Sequence, residues 1–302
     1  MREVDMTITA DDGLPLAATL TLPVGAGPHP AVLLLHGSGR LDRDANAGRL
    51  RMGFGPPLAA ALAAVGIAVS WYDRRDVGAT PGDWRATGFV DNRRDAAAAL
   101  RALAGRTDVR AGAVGVVGHS EGAVHAMALG TRPEVAAVVL LAGFARSGEN
   151  ALRWQARTIT GGLPAPLRSV LRKFGNRQLV RVKASDADVV RVAGTKLNAR
   201  WVREMLLHDS RPDLANVHAP VLAITGGKDV QVDPADLDRI CELVPGEVET
   251  HRIPDLTHLL RRDPGRPSVR SYPAHLRKPV DADLLAQVTS WLARRLGVEQ
   301  HP

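Results

Sequence analysis

The chain of 302 residues contains one cysteine, Cys241, so no disulfide can form within it; that fits a reducing compartment. Cys241 falls in the apolar helical pattern Leu237, Ile240, Cys241, Val244 and is expected to be buried as a small hydrophobe. Aromatic residues make up only 4% of the chain and no recognised nucleic-acid module is visible, so nucleic acid is not an expected partner despite a net charge of +7. Long apolar runs are absent. The longest weakly polar stretch, Pro56 to Val69, is mostly alanine and is broken at Gly66, too short to span a bilayer. The first residues, Met-Arg-Glu-Val-Asp, carry no apolar signal core, and a cytoplasmic location without membrane partners is the expectation. Also missing are a Gly-x-x-x-x-Gly-Lys-[Ser/Thr] phosphate loop, a Gly-x-Gly-x-x-Gly after the first strand, and any His-Glu-x-x-His or paired-cysteine zinc spacing. No metal or organic cofactor is expected.

What is present is an ordinary globular balance, 45% hydrophobic and 24% charged, in a chain long enough for one large core domain plus an insertion. Its most informative stretch is Gly118-His119-Ser120-Glu121-Gly122. The apolar run Ala113 to Val117 precedes it and an alanine-rich run from Ala123 follows. That order reads as strand, sharp turn, helix, with the Ser120 hydroxyl pushed out of the sheet and the glycines allowing the two backbones to approach. The backbone N–H of Glu121 would point at a developing oxyanion.

Around this turn, strands alternate with helices. Residues 6–10 and 16–23 suggest a hairpin about Asp11-Asp12-Gly13, and Ala31 to Leu35 is apolar on both faces, as a buried parallel strand is. A helix over 57–65 closed by Gly66, a strand over 67–73, a helix over 91–104 and a strand from Val135 to Leu141 follow. After Gly143 the alternation stops. Residues 145–215 show helical patterns and no good strand, and carry fourteen Lys or Arg against six Asp or Glu. Strands at 221–225 and 248–253, a helix from Ala235 to Val244 and a final helix over 281–296 resume the pattern. The implied architecture is α/β, with 144–215 inserted into a core of 1–143 and 216–302.

A serine hydroxyl needs a base, and that base needs an orienting acid. In an open parallel sheet the partners come from the C-terminal ends of strands. Asp229 follows the strand at 221–225 and His258 follows the strand at 248–253, in the order Ser, Asp, His. Asp233, which precedes Pro234 like a helix N-cap, and Asp255 compete with Asp229. Of the ten histidines, His125 and His251 read as packing residues, and His36 as shaping its turn.

Gly118–Gly122, Asp229, His258 and the turn His36-Gly37-Ser38-Gly39 together resemble the α/β-hydrolase fold in its serine esterase and thioesterase branch. The resemblance implies a mostly parallel eight-stranded sheet, its second strand antiparallel, with helices on both faces and a helical cap inserted after the sixth strand. Leu41-Asp42-Arg43-Asp44-Ala45-Asn46 and Tyr72-Asp73-Arg74-Arg75 are similar to small bacterial carboxylesterases related to the prolyl-oligopeptidase hydrolases, although Asp76 stands where many relatives have glycine. Asp42, Arg43 and Asp44 line the cleft or form a surface ion-pair network. The expected function is hydrolysis of a small-molecule carboxylic ester or thioester by Ser120, His258 and Asp229, with the oxyanion held by the N–H groups of Ser38 (Gly39 the fallback) and Glu121. Acyl transfer by the same residues, or ligand binding on a hydrolase scaffold, are the alternatives. The positive charge of 144–215 is either a solvated face or an attractor for an anionic substrate.

Overall fold

The computed structural model describes residues 1–47 and 50–298. Its main sheet has eight strands: β1 Arg2–Thr9, β2 Pro15–Leu22, β3 His29–Leu35, β4 Ala68–Tyr72, β5 Val109–His119, β6 Val135–Leu141, β7 Val221–Gly226 and β8 Val248–Ile253. They lie in the spatial order β1-β2-β4-β3-β5-β6-β7-β8. β2 is antiparallel to both its neighbours, and the strands from β4 to β8 run parallel.

The central strands are apolar throughout because both faces are covered. In β3, Leu33 and Leu35 join the core beneath α2 (Phe89–Ala104), α3 (Glu121–Leu129) and α8 (Asp236–Leu243). Val32 and Leu34 join the opposite core beneath α1 (Gly55–Ala64) and α10 (Ala282–Arg295). The period-2 alternation of a strand divides one hydrophobic run between two layers. On α10, Leu284, Val288, Trp291 and Leu292 supply the inner stripe, and each such buried side chain contributes roughly 1.5–3 kcal/mol.

Between β6 and β7 lie α4 (Gly148–Thr160), α5 (Ala165–Lys183), α6 (Ala199–Leu207) and α7 (Arg211–Ala215). The segment also contains an antiparallel pair, Val189–Val192 with Thr195–Asn198, where no strand was expected. Its turn, Ala193-Gly194, has φ +48° and +82°, the left-handed geometry of a tight hairpin. Four-residue strands with Arg191 and Lys196 facing each other are too short and too polar to show a strand period. A second small pair joins Asn46–Ala47 to Leu50–Arg51, and a short helix, α9, covers Tyr272–His275.

α6 is stapled to the start of α2. Asn198 Nδ2 donates to the carbonyls of Trp84 and Thr87, both at 2.7 Å, and Glu204 accepts from the Val90 N–H at 2.8 Å. A small apolar cluster of Phe89, Val124, Phe144, Ala151, Met205 and Val232 fills the junction. Arg146 anchors the entry to the segment, pairing with Asp236 at 2.7 Å and Asp233 at 2.8 Å. Asp233 Oδ2 pairs with Arg146 and its Oδ1 accepts from the Ala235 N–H at 3.1 Å, but the N-cap of α8, which begins at Asp236, is Ala235. α5 is different: of its 19 residues only Val182 is buried. Two further expectations are corrected. Cys241 is exposed, because it lies on the solvent side of α8. His251 is partly exposed and pairs with Glu249 at 2.6 Å, since β8 is an edge strand.

Candidate active site

β5 ends at His119 and α3 starts at Glu121, so Ser120 alone makes the turn. Its φ of +56° is unfavourable for a residue with a side chain, a strain held by the packing on both sides and of the kind found at functional positions. Its N–H is anchored on the Leu141 carbonyl at 2.9 Å. The crossing of β5 and α3 is as close as the glycines allow. A Cβ on Gly118 would overlap the Gly122 carbonyl, and one on Gly122 would overlap the Leu35 carbonyl.

The structure brings Ser120, His258 and Asp229 together. His258 Nε2 lies 3.1 Å from Ser120 Oγ, and His258 Nδ1 lies 2.8 Å from Asp229 Oδ2. Asp229 is buried, and its Oδ1 accepts from the N–H groups of Gln231 at 2.7 Å and Val232 at 2.9 Å. With Oδ1 so occupied, Oδ2 is the oxygen left for the imidazole. Asp255, the competing acid, has a half-exposed side chain 3.9 Å from Lys228, and Asp233 is held by Arg146. The His258 loop is itself fixed from below. Buried Arg261 donates to the carbonyls of Leu259 at 2.6 Å and Met52 at 2.5 Å, and its own carbonyl accepts from both the N–H and the hydroxyl of Thr257. His119 Nε2 donates to the His258 carbonyl at 2.9 Å; burial and the neighbouring His258 push the His119 pKa down to about 3, so it acts as a neutral strut.

The turn after β3 passes directly over Ser120. A Cβ on Gly37 would sit 3.2 Å from Ser120 Cβ, so Ser38 follows the closest approach of the two chains. Ser38, Ser120 and Glu121 line one small cavity of about 60 Å³, with Phe144, Leu152 and Trp201 among its other walls. The Glu121 N–H is the first of α3, where a helix offers no internal acceptor, and neither it nor the Ser38 N–H has a protein acceptor among the described residues. His36 shapes the turn as expected, its Nδ1 donating to the Gly37 carbonyl at 3.1 Å, while burial and the Arg74 charge push its pKa down to about 3.

Several residues at this site had no assigned role in the sequence. The Glu121 side chain does not face solvent but is 3% exposed. It accepts from Arg74 Nη1 at 3.3 Å, Asn92 Nδ2 at 3.1 Å, His125 Nε2 at 3.1 Å and Trp201 Nε1 at 3.2 Å. Burial works against its charge, but Arg74 and the hydrogen bonds from His125 and Trp201 outweigh it and hold the carboxyl at about 2. His125 thus packs in the core yet also donates to Glu121. Arg74 Nη2 reaches the His36 carbonyl at 2.9 Å, so one guanidinium ties the turn before Ser38 to Glu121, the residue after Ser120. The only signal for Arg74 in the sequence was its place in Tyr72-Asp73-Arg74-Arg75.

Asp42, Arg43 and Asp44 form a structural network away from the cavity. Arg43 pairs with buried Asp73 at 2.8 Å, Asp42 Oδ1 accepts from the Asn46 N–H at 2.8 Å, and Asp44 accepts from Trp71 Nε1 at 3.2 Å. Asp76 occupies the left-handed region, φ +58°, which explains why glycine suits this position and why Asp, which tolerates that region better than most residues, can replace it. No group of three His, Cys, Asp or Glu among the described residues could hold a metal ion, and no helix among them is long and apolar enough to cross a membrane.

Comparison with known proteins bears on the fold and the family. The chain is 28% identical over 296 residues to the esterase EstD of Thermotoga maritima, covering 97% of this chain and 68% of that protein. Among solved structures, ferulic-acid-bound Est1E from Butyrivibrio proteoclasticus superimposes with a TM-score of 0.67 at 18% identity, over 97% of this chain and 99% of that one. A Pyrococcus furiosus esterase superimposes with a TM-score of 0.64 at 17% identity, over 98% and 92% of the two chains. At such identities these two likenesses speak for the fold. A family model described as serine aminopeptidase, S33, matches residues 28–265. Taken with the eight-stranded sheet, that match over most of the chain makes the protein a member of this serine hydrolase family, with the α/β-hydrolase fold.

Proposed function

We propose that the protein hydrolyses a carboxylic ester or thioester through an acyl-enzyme on Ser120. The observation that carries this reading is the unbroken relay from Ser120 Oγ through His258 to Asp229, at 3.1 and 2.8 Å, on a strained strand-to-helix turn. Ser120 Oγ attacks the acyl carbonyl carbon as its proton passes to His258 Nε2. Asp229 keeps the other ring proton on Nδ1 and stabilises the imidazolium. The negative oxygen of the tetrahedral intermediate takes hydrogen bonds from the Ser38 and Glu121 N–H groups. His258 then returns the proton to the leaving alkoxide or thiolate. Water, deprotonated by His258, releases the acid and restores Ser120.

The names of the esterase EstD and of the Pyrococcus furiosus esterase support an ester as the bond cleaved, and the ferulic acid bound to Est1E makes an aromatic acid a sensible first test. Residues 144–215 act in this reading as a cap on a core of 1–143 and 216–302. The support is that Leu152, Gln155, Trp201 and Met205, all from this segment, wall the cavity beside Ser120. The test is a fluorophosphonate probe together with p-nitrophenyl butyrate. Wild type should label rapidly and turn the ester over, and Ser120→Ala should do neither while keeping its melting temperature. Most of the wild-type rate surviving in Ser120→Ala would remove Ser120 as nucleophile.

A further inference from the structure

α4 and α5 face each other across an open groove of about 780 Å³. On α4 the lining positions are 149, 152, 153, 156, 157 and 160, one continuous helical face. The floor is apolar, with Leu152, Leu171, Leu179 and Leu206. The rim is strongly positive: Arg153 and Arg157 come from α4, and Arg168 and Arg172 from α5. The one acid there, Glu149, is already paired with Arg153 at 2.8 Å and Lys183 at 2.7 Å. The Arg157 and Arg172 side chains form no ion pair or hydrogen bond among the described residues, so their charge is uncompensated.

The groove adjoins the cavity at Ser120, and Leu152 lines both. Arg157 lies five residues further along α4, about 7–8 Å at the helical rise. A ligand spanning from Ser120 to the arginines must therefore be elongated and apolar in its middle, with negative charge at its far end.

We propose that this groove receives the distal, anionic end of an elongated acyl group whose carbonyl lies at Ser120. The substrate class is then an ester or thioester of an acid with an apolar chain and a charged terminus. This rests on the hydrolase reading above for the position of the carbonyl, but the groove's affinity for an anionic amphiphile stands by itself. A binding partner with these features is matched by an unhydrolysable analogue, dodecanoate, whose alkyl chain fits the leucine floor and whose carboxylate meets Arg157 and Arg172.

Calorimetric titration of the wild-type protein with dodecanoate, below its micellar concentration, is the test. Binding should weaken at least about tenfold between roughly 0.01 M and 1 M salt, as the screening length falls from about 30 Å to about 3 Å. Arg157→Glu with Arg172→Glu should weaken it at least about tenfold at low salt. Arg177→Glu with Arg181→Glu changes the net charge equally but lies outside the groove, and should leave the affinity within about twofold. Equal weakening by both pairs would mean a general field and not a site, and overturns the proposal. So does absence of dodecanoate binding, and so does binding to phosphatidylglycerol vesicles without binding of monomeric dodecanoate, which would make α5 a membrane-facing helix. Turnover of p-nitrophenyl butyrate separates the two readings. Ester turnover without dodecanoate binding sinks the groove and leaves the hydrolase; dodecanoate binding without turnover of any ester does the reverse.

Discussion

Asp229→Asn should cost catalysis heavily and stability little, and the reason lies in which oxygen does what. Asp229 Oδ1 accepts two backbone N–H groups, from Gln231 at 2.7 Å and Val232 at 2.9 Å, while Oδ2 faces His258 Nδ1 at 2.8 Å. An asparagine can adopt two amide orientations. One sets its NH2 against the two N–H donors, losing both hydrogen bonds and leaving buried donors unmatched at about 1–3 kcal/mol each. The other keeps its oxygen on the two amides and turns the NH2 toward His258 Nδ1. The second wins. His258 Nδ1 must then accept, the ring proton moves to Nε2, and Nε2 can no longer take the proton of Ser120, 3.1 Å away. A wrong tautomer of this kind lowers kcat by about ten-thousandfold, equivalent to about 5.5 kcal/mol in the barrier. Since both backbone hydrogen bonds survive, urea denaturation should show a loss near 1 kcal/mol. The assay is kcat on p-nitrophenyl butyrate, with Asp233→Asn and Asp255→Asn as comparators that should stay within about tenfold. An Asp229→Asn rate within about tenfold of wild type, or an equal collapse in Asp255→Asn, would refute the tautomer reasoning.

The remaining predictions concern the supports of the site. Glu121→Ala leaves the Arg74 guanidinium without its buried partner and should destabilise the fold by about 3–5 kcal/mol, measured in urea. The Glu121 pKa is held at about 2, below its ordinary 4.5, so its contribution is fully present above pH about 4.5 and is lost as pH falls toward 2. It amounts to about 3 kcal/mol; the wild type should lose stability over that window, and a variant lacking this carboxylate should show a correspondingly flatter acid limb. Gly118→Ala forces a methyl group into the Gly122 carbonyl and should lower Tm by about 10 °C or more; a Tm within about 2 °C of wild type would mean that the strand-helix crossing is looser than it looks.

Much of this molecule was legible in its residue order because the signals are local. A run apolar on both faces, such as Ala31 to Leu35, can only be a strand or helix covered on both sides, and its length argues for the strand. The glycines about Ser120 mark a backbone crossing that larger residues could not make. Asp229 and His258 stood out because each follows a strand. Other features were decided only when distant segments met. The side chain of Glu121 had no part in the sequence reading; Arg74, Asn92 and Trp201, the last 80 positions away, close around it and make its charge a buried anchor. Asp229 prevailed over Asp255 because the fold gives one of them two backbone donors and a buried imidazole, and leaves the other half in solvent. Cys241 carried an apolar helical period and still faces outward, since periodicity fixes a stripe but not its edges. Composition showed that 145–215 is basic, while the facing of α4 and α5 determined that four of those arginines share one groove. Hydrogen bonding and burial depend on what fills the neighbouring volume, and for residues 138 positions apart, as Ser120 and His258 are, no local pattern carries that information.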